Sequence, residues 1–433
     1  MPQKPLVTMI TESADCAWEP LSRREKVPCD RFKHAALAYN GFVYVHGGRQ
    51  DTALGDFWRY SIGLGRWEQL PSCRQAPDKL EGHSMVAHQG ALYVFGGMVD
   101  FGGNRENTPL WMYCTETRRW CEVKAQDGQV NRPTNRKGHS AVVYQAGMFV
   151  YGGYFDIEGT VEEFWVFYFD TQKWAPLSPH TRGMGPGPRH GHSCVTHNAA
   201  MFLFGGLKNM AEQNDFWRFD FRRHNWSIIK TSFGPPRSVG HGCVVHRGCL
   251  WLVGGGLPSR PPAHNFWKFD FVSRSWKKIS RDKQRVDYAR MYHCVVAVGG
   301  RAASSTRASP LCSEHSGSPG GDSSVQKLHS FRSRGSGRVT STSNLIEMKT
   351  LNERPASPVL CACPFSSGAE DQRLLTSYEN ESFTLLEEEE DDDYSQTAGP
   401  CGDAAEQDDV LLMIGGRPLS RHCEISVNRI TLE

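Results

Sequence analysis

The sequence predicts an all-β fold assembled from repeated four-stranded units, and three observations carry that expectation. Apolar runs ending in Gly-Gly recur with a period of roughly fifty residues, a spacing that marks repeat architectures. A histidine stands upstream of each run, and a single tryptophan follows it downstream.

The runs are FVYVHGG, ALYVFGG, MFVYGG, MFLFGG and LWLVGGG, with VLLMIGG much later. Their glycine pairs are read as Gly47–Gly48, Gly96–Gly97, Gly152–Gly153, Gly205–Gly206 and Gly255–Gly256, in steps of 49, 56, 53 and 50 residues, and the late pair is Gly415–Gly416. The upstream histidines are His34, His83, His139, His192 and His241. A polar loop after each pair leads to an aromatic strand such as DFWRYS or DFWRFDF, and then to Trp67, Trp120, Trp174, Trp226 or Trp276. Each unit thus reads as a histidine strand, a Gly-Gly strand, an aromatic strand and a tryptophan strand. Strands covered on both faces should be near-continuous apolar runs, as ALYVF is. Glycine lets the chain bend out of such a strand and approach its neighbours closely. The aromatics supply broad surfaces for stacking one sheet on the next.

This unit resembles the kelch repeat, whose four-stranded blades build a β-propeller. The resemblance covers about three quarters of the chain. The first blade, KHAALAYNGFVYVHGG with RWEQL downstream, is similar to blades of the leucine-zipper-like kelch regulator and of kelch-domain-containing proteins, without the BTB domains of the former.

One Gly-Gly comes early. In HCVVAVGGRA, starting at His293, only one strand separates the histidine from Gly299–Gly300. Aligned with HSMVAHQGAL, Gly300 falls on Gly90, so the early pair is a hairpin turn. The missing second strand is VLLMIGG, and CEISVNRI supplies the third. The fourth comes from the other end of the chain, where CAWEPL around Trp18 matches GRWEQL around Trp67. Six blades are therefore expected, the last assembled from both ends, because closure removes free sheet edges. The organisation reads as a flexible segment 1–15, propeller strands from 16–301, an insertion 302–408, and the remaining strands of the sixth blade in 409–433. Loop closure grows only with the logarithm of length, so such an insertion costs roughly 3 kcal/mol.

The insertion is rich in Ser, Thr, Gly and Pro and has no period, a composition expected to remain disordered. It holds 8 Lys and Arg against 18 Asp and Glu, a net of −10; the chain totals +2, so the remainder carries +12. The run LLEEEEDDDYS concentrates that charge and is read as a solubilising stretch or a tethered competitor for a basic face. Ser357 and Ser395 are candidate phosphate acceptors there. The first residues show no signal peptide, and no run approaches the roughly 18 apolar residues of a membrane span. The 14 cysteines are scattered and are read as reduced thiols, which points to the cytoplasm or nucleus; a monomer is expected.

The search for chemistry returns little. RHGHSCVTH places His190, His192 and Cys194 at alternate positions of a strand, but the equivalent histidine occurs in every blade and is first a repeat feature. CAC at Cys361–Cys363 lacks a second pair at zinc-site spacing. No phosphate loop, GxSxG elbow or HExxH is present. The reading is therefore not an enzyme, with no cofactor and no metal. In the kelch geometry, the loops entering each histidine strand and those after each Gly-Gly share one face. Arg31, Arg136, Arg189, Arg237 and Arg290 stand three or four residues before a histidine and would ring that mouth with guanidiniums suited to carboxylates. The loops after Gly-Gly add Arg49, Arg105, Tyr154, Phe155, Lys208 and Arg260. Such residues dominate interface energetics. The expected partner is a protein, an acidic peptide segment in particular, and neither nucleic acid nor membrane. The resemblance also implies two alternatives, a substrate receptor of a ubiquitin ligase and an actin-associated scaffold. No BTB, F-box or cullin-box segment is expected outside the propeller.

Overall fold

The computed structural model describes residues 18–20, 26–99, 108–124, 132–155, 159–177, 184–257, 260, 262, 264–279, 289–299, 410–419 and 424–431. The expectations for residues 1–15 and for the insertion 302–408 lie outside these residues. First among the described strands is β1 (Trp18–Pro20). Blade 1 follows as β2 (Ala35–Tyr39), β3 (Phe42–His46), β4 (Phe57–Ser61) and β5 (Arg66–Leu70). Blade 2 is β6 (Ser84–His88), β7 (Ala91–Phe95), β8 (Leu110–Cys114) and β9 (Arg119–Val123). Blade 3 has β10 (Ser140–Tyr144) and β11 (Gly147–Tyr151), a small hairpin β12 (Tyr154–Phe155) and β13 (Gly159–Thr160), then β14 (Phe164–Tyr168) and β15 (Lys173–Pro176). Blade 4 repeats this plan: β16 (Ser193–His197), β17 (Ala200–Phe204), hairpin β18 (Leu207–Lys208) and β19 (Ala211–Glu212), β20 (Phe216–Asp220), β21 (Asn225–Ile228). Blade 5 is β22 (Gly242–His246), β23 (Cys249–Val253), β24 (Phe266–Asp270) and β25 (Ser275–Lys278). The last three strands are β26 (Cys294–Val298), β27 (Val410–Ile414) and β28 (Val427–Thr431).

The sixth sheet runs β1-β28-β27-β26, so it is built from both ends of the chain as expected. Trp18 pairs with Ile430, Glu19 with Arg429 and Pro20 with Asn428. Val298 faces Val410 at the open end of the β26–β27 ladder, and Gly299 follows at φ 89°, a turn conformation. Gly299 thus leaves β26 in a turn, and β26 and β27 pair as the two arms of a hairpin. This is the end of the blade at which Asn40–Gly41 turns blade 1, and the Gly-Gly pairs lie at the other. The innermost strands touch in the cycle β2, β6, β10, β16, β22, β26 and back to β2. The arrangement is a closed six-bladed propeller.

Aromatic side chains hold neighbouring blades together. Phe57 of blade 1 sits with its ring centroid 4.9 Å from Tyr113 and 5.1 Å from Trp120 of blade 2. Phe216 of blade 4 repeats the contact with Phe269 at 4.9 Å and Trp276 at 5.3 Å in blade 5. Burying each such side chain is worth about 1.5–3 kcal/mol, so the repeated Phe and Trp form the cohesive layer between sheets.

The glycine pairs set how close the blades come. A Cβ on Gly96 would lie 2.6 Å from the Arg136 carbonyl oxygen and 2.7 Å from the His139 ring, both of the next blade's entry. One on Gly97 would lie 2.6 Å from Cβ of His83 in its own blade, and both glycines have positive φ. Blade 5 corrects one sequence assignment. Gly254, at φ 63°, donates its N–H to the Asn265 carbonyl at 2.7 Å, as Gly47 does to Asp56 at 3.1 Å. The structural pair is therefore Gly254–Gly255, and Gly256 pairs with Val239 at the position that Arg49 holds opposite Phe32 in blade 1. Three consecutive glycines hid this one-residue register.

Around the axis the residue before each histidine closes a ring of backbone hydrogen bonds. Gly82 donates to Lys33 at 2.8 Å, Gly138 to Gly82 at 2.7 Å, and Gly191 to Gly138 at 2.8 Å. Gly240 donates to Gly191 at 2.8 Å, Tyr292 to Gly240 at 2.6 Å, and Lys33 to Tyr292 at 2.9 Å. All six residues have φ between 55° and 66°. Glycine takes this conformation without penalty, whereas Lys33 and Tyr292 adopt it against their side chains' preference.

Deleting residues 1–24 removes β1 and leaves an edge of β28 unpaired. Thermal melts should show a clear loss of stability for that variant and none for deletion of residues 1–12. Equal melting of the two variants would mean that β1 does not close the propeller.

Candidate functional site

The axis opens at the Gly-Gly end through a cavity of about 360 Å³. Its lining comprises the ring residues, the six histidines that follow them, and Glu81, Lys137, Tyr154 and His190. His34, His83, His139, His192, His241 and His293 are each buried, at 5–7% exposure. Three of them bond across the blades: His83 Nε2 lies 3.2 Å from His46 Nδ1, His139 Nε2 2.8 Å from Ser84 Oγ, and His192 Nε2 2.8 Å from Ser140 Oγ. Burial lowers their pKa values, to about 3 for His34, His139 and His293 and to about 4 for His241. Neutral imidazoles therefore line the throat.

The predicted ring of arginines is not at this mouth. Arg31, Arg136 and Arg189 are fully buried and face carboxylates of their own blades. Arg31 grips Asp56 through Nη1 at 2.7 Å and Nη2 at 2.8 Å, and donates to the Gly47 carbonyl at 3.0 Å. Trp58 Nε1 donates to the same carboxylate at 2.6 Å. Arg189 repeats the arrangement with Asp215 at 2.8 Å to each oxygen, the Gly205 carbonyl at 2.8 Å, and Trp217 at 2.7 Å. Arg136 does so with Glu163 at 2.6 Å, the Gly152 carbonyl and Trp165. Each guanidinium ties the entry of the histidine strand to the Gly-Gly bend and the aromatic strand. Half-buried Arg290 reaches the corresponding Gly415 carbonyl at 3.3 Å. Arg237 is exposed, and buried Ser238 occupies the equivalent position, because blade 5 carries one further residue between its arginine and histidine.

The loop residues divide similarly. Arg49 is part-exposed and donates to Glu81 at 2.8 Å, beside the cavity. Tyr154 lines the cavity, its ring 5.4 Å from that of His190. Phe155 lies 5.0 Å below the Arg136 guanidinium. Lys208 donates to the Pro186 carbonyl at 3.1 Å, while Arg260 is exposed. Arg105 lies outside the described residues.

The mouth's charge comes from positions that the sequence reading passed over. Lys33, Lys137 and Glu81 line it, and Arg417 stands over the Phe32 ring at 4.2 Å. Lys33 Nζ lies 5.6 Å over the Tyr292 ring. Burial lowers the Lys33 pKa; Glu81 opposes the shift, while Lys137, Arg49 and Arg417 reinforce it. Burial would raise the Glu81 carboxyl, but the Arg49 hydrogen bond and the charges of Lys33, Lys137 and Arg49 outweigh it and hold it low. Three cations thus surround one carboxylate, and Arg417 adds a fourth charge beside Lys33. The available signal was adjacency: Lys33 and Tyr292 directly precede repeat histidines, and Arg417 directly follows Gly416. Among the described residues no group of three or more His, Cys, Asp or Glu could hold a metal ion.

Sheet order and the closed cycle of inner strands define the class as a six-bladed β-propeller with a side-chain-lined axial mouth. A family model described as the KLHDC2/KLHL20/DRC7 Kelch-repeats domain matches residues 7–97 and 82–304, and the chain belongs to that Kelch-repeat family. Kelch domain-containing protein 3 of Bos taurus is 31% identical over 136 residues, which cover 31% of this chain and 35% of that protein. Kelch domain-containing protein 10 of Xenopus tropicalis is 26% identical over 233 residues, 51% of this chain and 53% of that protein. The Leucine-zipper-like transcriptional regulator 1 homolog of Drosophila melanogaster is 26% identical over 220 residues, 49% of this chain and 22% of that protein. The chain thus spans well under two thirds of each of these relatives. The Kelch propeller is in general an interaction fold rather than an enzyme.

Two outcomes follow from the buried charges. Asp215→Ala strands a guanidinium of 0% exposure, so unfolding titrations should show a loss of about 3–5 kcal/mol. The histidines have folded-state pKa values below their ordinary 6.5, so the unfolded chain takes up protons first on acidification. Their contribution is intact above about pH 6.5 and declines towards pH 3, by roughly 1–2 kcal/mol per histidine near pH 5. Melting temperature should therefore fall between pH 7 and 5, where ordinary carboxylates do not yet titrate, and His139→Gln should flatten the fall.

Proposed function

We propose that this chain is a non-enzymatic recognition module that holds an acidic segment of a protein partner at the channel mouth. The observation that carries the reading is the grouping of Lys33, Lys137 and Arg49 around the carboxylate of Glu81, with Arg49 at 2.8 Å and Lys137 at 3.7 Å, and of Arg417 beside Lys33. A carboxylate entering the mouth would meet an excess of positive charge over neutral histidines, with Tyr154 and Tyr292 as walls. The ammonium groups give attraction, and the aromatic walls give contact area at low entropic cost.

The test is fluorescence anisotropy with a labelled oligoglutamate peptide. Lys33→Asn, which keeps a residue tolerant of positive φ, combined with Lys137→Gln should weaken binding about tenfold. Raising the salt should weaken binding to the unsubstituted chain, because part-exposed charges are screened. Equal affinity for the two proteins would overturn the reading.

A further inference from the structure

The mouth is not uniform around its circumference. Its cations come from the entries of blades 1 and 3 and from the Gly-Gly loops of blades 1 and 6. Large apolar side chains stand free on the other side. Met184 is 66% exposed, Met210 86% and Phe233 59%.

These three residues are tied into one shelf. Met184 and Phe233 occupy equivalent positions in successive loops, each followed by a glycine packed on a tryptophan of the next blade. A Cβ on Gly185 would lie 2.9 Å from Trp226, and one on Gly234 would lie 3.0 Å from Trp276. Met210 crowns the β18–β19 hairpin between the two loops, at φ 62°. Lys208 of that hairpin donates to Pro186 on the Met184 side at 3.1 Å. Gln213, just past the hairpin, accepts the Ser238 N–H on the Phe233 side at 3.0 Å. Phe233 is further braced by Trp267, with ring centroids 5.1 Å apart. The hairpin that carries Met210 is joined to the mouth through buried Leu207, whose backbone pairs with that of cavity-lining His190 by bonds of 3.1 and 2.8 Å. The charged groups beside the shelf are Lys208, already bonded to Pro186, exposed Arg237, and Glu212.

We infer that the partner segment carries bulky apolar side chains close to its acidic residues, the acidic part at the mouth and the apolar part on the shelf formed by Met184, Met210 and Phe233. This rests on the acidic-segment reading of the mouth. Flexible thioethers suit a surface that moulds itself to a partner side chain, and a braced aromatic offers area without loss of rotamer freedom. The continuity of shelf and mouth favours a single segment spanning both. A purely acidic segment would leave three large apolar groups in water.

The experiment is selection of a random-peptide phage library on the full chain, followed by affinity measurements on synthetic versions of the enriched peptides. Enriched sequences should pair Asp or Glu with Leu, Ile, Met or Phe. Met210→Ser and Phe233→Ser should each weaken those peptides by about tenfold without moving the melting temperature, since both side chains are exposed. Leu64→Ser, at the far end of blade 1, should change nothing. Enriched peptides that are acidic without apolar residues, or insensitivity to Met210→Ser and Phe233→Ser, would overturn the shelf and leave the acidic mouth standing. Apolar peptides indifferent to Lys33→Asn and Lys137→Gln would instead overturn the acidic mouth, and with it the single-segment inference.

Discussion

The contact on which the whole propeller depends is the seating of each axial histidine against the Gly-Gly bend of the preceding blade. It is a contact between backbones as much as side chains, since the bend also accepts the next blade's entry strand. Gly48 N–H donates to the Leu80 carbonyl and Gly97 N–H to that of Arg136, both at 2.8 Å. No other residue fits at these bends, because the space that a side chain would need is occupied by the next blade at the first glycine and by the blade's own histidine entry at the second. The distance between sheets is set there, and the aromatic layer further out fills the wedge that results.

The buried guanidiniums act on the same contact. Where the arginine and its carboxylate are both present, in blades 1, 3 and 4, bend, entry strand and aromatic strand are tied at one point. Blade 2 has Leu80 and Pro109 at these positions, and blade 5 has Ser238 and Asn265. Stability near the axis is therefore unevenly distributed, and the entries lacking the pair rely on apolar packing, as the Leu207, Val239 and Met291 cluster does. Such internal pairs make each histidine strand's starting position specific, although a buried ion pair adds little net stability.

Most of the architecture was legible in the sequence because a repeat states the same local requirement many times. Even the two-ended blade could be read, since Trp18 and the VLLMIGG strand each match a repeat element that nothing else explains. The site was less legible for a related reason. Arg31, Arg136 and Arg189 recur, and recurrence in a propeller marks what every blade needs internally rather than what a ligand meets once. The functional candidates are residues that break the repeat: Lys33 and Tyr292 where four blades have glycine, Glu81 and Lys137 beside them, and Met210 on a small hairpin that, among the described residues, blades 3 and 4 share. The third glycine of blade 5 misled the register because sequence identity cannot tell which two of three glycines take positive φ.

The ring of amides around the axis has a consequence for selectivity. Every N–H in it points to the blade before, in one rotational sense, so all six ring residues spend their N–H groups within the ring. Their donors lie tangential to the axis and are already engaged. Many anion sites are built from convergent main-chain N–H groups, and these six are committed elsewhere. Discrimination at the mouth falls to side chains, and those differ from blade to blade. A nearly sixfold scaffold can thus change its ligand by single substitutions while its structural ring stays intact.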